Sequence, residues 1–94
     1  MSDYYDRAGS PITMEEWAGS FGDNTVALTE LDDVTVSTVW LGLNHNFGDG
    51  PPLIFETMIF GGQHDEFQER YSTEAEALAG HEIAVTMARL EVAS

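Results

Sequence analysis

The chain has 94 residues, 43% hydrophobic and 11% aromatic, enough burial to offset the ordering entropy of one compact domain spanning residues 1–94. Seventeen Asp and Glu face three arginines and no lysine, for a formal net charge of −14, which argues against direct binding to nucleic acid or to an anionic membrane. The absence of cysteine excludes disulfides and thiolate zinc sites, no apolar run approaches the ~20 residues of a membrane span, and the acidic start does not read as a signal peptide, so a soluble protein of a reducing cytoplasm is expected.

Tyr4 to Arg7 reads as a short edge strand, followed by a turn at Gly9-Ser10-Pro11. Thr13 then caps a short helix, because Glu16 three residues on completes a capping box, and Ile12 is placed to staple against Trp17. Met14, Trp17 and Phe21 share a helical face at three- and four-residue spacing, which predicts a core stripe. Gly19 and Gly22 end that helix quickly. Thr25 to Leu31 alternates as a strand, and Asp32-Asp33 makes a tight connection into the run that organises the chain.

That run, Val34 to Gly62, predicts two strands joined by a long loop. Val34, Val36, Thr38 and Trp40 fall on one face of the first strand, and Leu53, Phe55, Thr57 and Ile59 on one face of the second. Gly42, on the same side as Trp40, predicts a weakening or bulge. Asn44 to Pro52 is too long for a tight turn and is closed by two prolines, so it should project from the sheet. Phe67 to Tyr71 is a candidate fourth strand after a polar break at residues 61–66.

The clearest helix runs from Ser72 to about Leu90, opened by a second capping box, Thr73 with Glu76, and complemented by Arg89 near its negative pole. Leu78 and Val85 share a face, with Ala79, Ile83, Met87 and Leu90 extending it on one side and Ala77, Ala84 and Ala88 forming a small-residue strip on the other. So wide an apolar surface predicts packing on the sheet and contact with something further, a second copy of the chain being one candidate. The expected fold is therefore α+β: an antiparallel sheet of three to four strands built on a central hairpin, covered by a short N-terminal and a long C-terminal helix.

Chemistry is sparse. His45, His64 and His81 lack the HExxH or HxH spacing that brings metal ligands together, and the adjacent His81 and Glu82 diverge by about 100° on a helix. The glycines between the central strands are not a phosphate loop, since no lysine exists anywhere, and there is no GxSxG or Cys nucleophile. No catalytic residue, metal or cofactor is expected, and the protein is read as a non-enzyme.

Three blocks together, YYDRAGSPITMEEW, VSTVWLGLNHNFGDGPPLIFETMIFGG and RYSTEAEALAGHEIAV, resemble a family of small uncharacterised proteins encoded by actinobacteriophages, mycobacteriophages especially, and by their host prophages. The family carries no assigned activity. The resemblance implies a phage setting in the host cytoplasm, and small phage proteins of this kind act by binding and modulating a host or phage protein. The residues proposed for that contact are Asn44, His45, Phe47 and Asp49 in the long loop and the acids Asp65, Glu66, Glu69, Glu74 and Glu76, which suit a partner with a basic surface. Two alternatives stand beside it: a DNA mimic, in which Asp65, Glu66, Glu69, Glu74, Glu76 and Glu82 imitate phosphates and block a nucleic-acid-binding protein, and a small metal-assisted enzyme using the histidines and neighbouring acids.

Overall fold

Alternation along Val34–Trp40 gives that strand one wholly buried face. In a computed structural model that describes residues 3–20 and 22–93, the elements in order are β1 (Tyr4–Tyr5), β2 (Pro11–Ile12), α1 (Met14–Ser20), β3 (Thr25–Leu31), β4 (Val34–Trp40), β5 (Phe55–Phe60), β6 (Gln68–Tyr71) and α2 (Glu74–Ala93). Strands β3-β4-β5-β6 form an antiparallel meander, and β1 and β2 make a separate two-stranded ribbon. The fold is α+β, with α2 lying across all four strands and the short α1 near one end.

Register sets which side chains meet. Val36 opposes Ile59, Thr38 opposes Thr57 and Trp40 opposes Phe55, so the inner stripes of β4 and β5 coincide and all six are buried. The core divides along this stripe. One apolar cluster joins Val34, Val36 and Ile59 to Ala84, Val85 and Ala88; the other joins Trp40, Ile54 and Phe55 to Ala77, with Tyr5, Ile12, Trp17 and Tyr71 packed around it. Between them lies a polar layer of Thr38, Thr57 and His81. The outer face of the sheet is half-open and carries the Arg70–Glu56 ion pair at 3.0 Å.

Both capping boxes form. Glu16 N donates to Thr13 Oγ1 at 3.1 Å while Thr13 N donates to Glu16 Oε1 at 2.9 Å, and Thr73 and Glu76 exchange the same pair at 3.1 Å each. Asp32, at φ 52°, makes the two-residue turn between β3 and β4.

Three expectations need correction. Pro11 belongs to strand β2, and the turn before it is held by Asp6 Oδ1, which accepts from Ala8 N at 3.0 Å and Ser10 N at 2.8 Å. Of the Met14, Trp17 and Phe21 stripe, Trp17 packs on the core, Met14 is exposed and Phe21 lies outside the described residues. The face of α2 is the largest change: Ala77, His81, Ala84 and Ala88 turn inward with Val85, whereas Leu78, Ile83 and Leu90 are exposed. Bulk on the sheet explains it, since Trp40, Phe55, Val36 and Ile59 already fill the interlayer space and only small side chains let the helix approach.

Gly80 belongs to the same close approach. A Cβ there would fall closer than 3.0 Å to Tyr71 Oη, Cζ and Cε1, so the ring lies directly over the helix backbone. Gly80→Ala is therefore expected to lower stability by about 1–2 kcal/mol in urea unfolding, because expelling Tyr71 from its cluster outweighs the ~1 kcal/mol gain in helix propensity. A stabilised variant would contradict this packing.

Candidate functional site

The segment from Leu41 to Ile54 leaves the sheet after Trp40 and is stitched down by backbone bonds before it projects. Leu41 N donates to Ile54 O at 2.7 Å, His45 N to Leu53 O at 3.0 Å, Tyr5 N to Gly42 O at 2.8 Å and Asn44 N to Asp3 O at 2.9 Å, and Tyr4 bridges Leu43. The N-terminal ribbon thus acts as a further strand beside the loop's base. Gly42 is the pivot, with φ 73° and its α-carbon wedged against the indoles of Trp17 and Trp40.

Two asparagines hold the tip. Asn44 Oδ1 accepts from Asn46 N at 2.8 Å and from Leu53 N at 3.0 Å, tying the outgoing chain to the returning one. Asn46 Oδ1 accepts from Gly48 N at 3.0 Å, and its Nδ2 donates to Pro51 O at 2.9 Å and Asp49 O at 3.3 Å. These are the local side-chain bonds that Asn makes in place of regular ladders. The result is an ordered loop that presents Phe47, 95% exposed, to solvent. Beside it runs a groove of about 430 Å³ lined by Asp3, Tyr5, Asn44, Asn46, Phe47 and Asp49 among others. Its charged side chains are both carboxylates.

The predicted contact residues do not form one patch. Asn44, His45, Phe47 and Asp49 share the loop, but Asn44 is spent on architecture, and His45 donates from Nδ1 to Leu43 O at 2.8 Å. Glu74 and Glu76 sit at the start of α2, at the same end of the sheet, with Glu74 bound to Arg7 at 2.9 Å and Glu76 in its cap. Asp65 and Glu66 lie in the β5–β6 connection at the opposite end, where Asp65 Oδ1 accepts from Gly61 N at 2.8 Å, and Glu69 is exposed on the edge strand β6. Asp3 and Tyr5 were missed because nothing local announces the pairing of Tyr4 with Leu43, 39 positions away (43 − 4).

Of the three histidines, His81 has the most constrained surroundings. It is 2% exposed, with Nδ1 2.7 Å from Thr38 Oγ1 and Nε2 2.9 Å from Thr29 Oγ1, while Thr38 Oγ1 also meets Thr57 Oγ1 at 2.5 Å. Hydroxyls both donate and accept, so either neutral tautomer satisfies the chain of bonds. Burial pushes the imidazole below its ordinary value, opposed by the neighbouring Glu82 carboxylate. His45 is in the loop and His64 in the β5–β6 connection, and among the described residues no group of three or more His, Asp or Glu is placed to hold a metal ion. No helix among them is long and apolar enough to cross a membrane. Set against known protein families, curated proteins and solved structures, the chain finds no match in any of the three.

Proposed function

We propose that this is a non-catalytic, phage-encoded protein that docks on a host or phage protein in the host cytoplasm and modulates it, with Phe47 as the anchor. The observation that carries this reading is an aromatic side chain held 95% exposed on a loop whose backbone is already ordered by Asn44 and Asn46. Such an arrangement suits a partner offering an apolar pocket, since large aromatic anchors dominate interface energies and a preorganised loop avoids the entropic cost of ordering on contact. Asp3 and Asp49 beside it favour basic groups around that pocket. DNA mimicry draws less support, because its acids are spread from one end of the sheet to the other and Asp65, Glu74 and Glu76 are each engaged within the chain.

Capture from a mycobacterial lysate tests the reading. Wild-type protein is expected to retain a partner that Phe47→Ala loses while keeping its circular dichroism and melting temperature. Truncating a central anchor costs about 2–4 kcal/mol of binding, or roughly 30- to 1,000-fold in affinity. An identical set of captured proteins for Phe47→Ala would overturn the assignment.

A further inference from the structure

With its alanines Ala77, Ala84 and Ala88 turned to the sheet, α2 leaves an apolar seam turned to solvent. Ala79, Ile83, Thr86 and Leu90 follow one another at intervals of four, three and four residues, the spacing by which one helix seats against another. Ile83 is 64% exposed and Leu90 68%. Thr86 is nearly apolar in effect, because its hydroxyl donates back to Glu82 O at 3.0 Å. Glu82 and Arg89 flank the seam on one side, one heptad apart, and neither makes an ion pair among the described residues.

We propose that this seam is a homodimer interface in which α2 packs antiparallel against α2 of a second copy. Twofold packing sets Ala79 against the partner's Leu90 and Ile83 against the partner's Thr86, small against large in every layer. The same register places Glu82 opposite the partner's Arg89, and the symmetry makes that pair twice. This charge pattern selects the occupant. An unrelated basic partner would satisfy Glu82 but repel Arg89, whereas a second copy satisfies both. The contact is short, spanning about 18 Å of helix, and joins two chains of net charge −14, so the dimer is weak, with Kd roughly 10–100 µM at ~0.15 M salt.

Sedimentation equilibrium from about 5 to 500 µM tests it. The wild type is expected to pass from monomer to dimer, and Ile83→Asp to stay monomeric with unchanged helicity, since the site is exposed. Glu82→Arg removes two units of negative charge from each chain, so general repulsion alone would strengthen association; the interface predicts weakening of tenfold or more. Glu82→Arg combined with Arg89→Glu restores the pairs in reverse and is expected to recover the wild-type Kd within about threefold. A monomer throughout, a dimer that survives Ile83→Asp, or a double variant no better than Glu82→Arg overturns the proposal.

Discussion

Replacing His81 by alanine is expected to destabilise the protein by about 3–4 kcal/mol in urea unfolding, the largest effect of any polar substitution in the chain. The imidazole fills the layer between the two apolar clusters, so its removal opens a cavity there and breaks the bonds to Thr38 and Thr29. Converting the layer to apolar residues together, Thr38→Val, Thr57→Val and His81→Leu, should recover most of that loss, since both partners of each fully buried bond go together and only the partly buried Thr29 hydroxyl loses its partner. The pH dependence has a definite sign. The folded pKa lies below the ordinary value of about 6.5, because the ring is buried among hydroxyls without a facing carboxylate, and the exposed Glu82 offsets this only in part. Between the two values the unfolded chain binds the proton and the folded one does not. Stability from this group is therefore complete above pH ~6.5 and is lost as pH falls through the folded pKa. Urea midpoints at about pH 7.5 and 5.5 should differ more for the wild type than for His81→Asn, and equal differences would remove His81 as the cause.

Gly42→Ala is expected to cost a comparable 3–4 kcal/mol by a different route. An alanine at φ 73° carries about 1–2 kcal/mol of backbone strain, and its Cβ would fall closer than 3.0 Å to both Trp17 and Trp40. Trp40 is locked in the core, so Trp17 must yield, giving up its bond from Nε1 to Leu41 O at 2.9 Å and the docking of α1 that goes with it. These are the two tryptophans of the chain, which makes fluorescence a direct report: a red-shifted emission in the folded variant is the expected signature. An unshifted spectrum with unchanged stability would mean that the indoles do not close on this glycine.

Much of this architecture was legible because it is local. Alternation in β4 and β5 named the buried stripe, and two capping boxes placed the helix starts within a residue or two. What escaped depends on partners distant in sequence. Leu78, Ile83 and Leu90 outrank alanine on any hydrophobicity scale, yet alanine faces the sheet because the strands supply the bulk, which the helix sequence by itself does not disclose. Gly80, in mid-helix where a glycine ordinarily costs stability, is instead the floor under Tyr71. The sequence places His81 on a helix but not its bonds, because Thr29, Thr38 and, behind Thr38, Thr57 come from three different strands. The loop was recognised as a candidate from its length and prolines, whereas its stiffness depends on Asn44 and Asn46 reaching across it.

The proposed docking works through an apolar anchor and not through accumulated negative charge, and salt separates these most directly. Isothermal titration of the captured partner at 50 and at 200 mM salt should show affinity changing by less than about tenfold, with Phe47→Ala weakened equally at both. A fall of roughly a thousandfold or more across that range, the behaviour of a surface contacted as if it were phosphate, would contradict it.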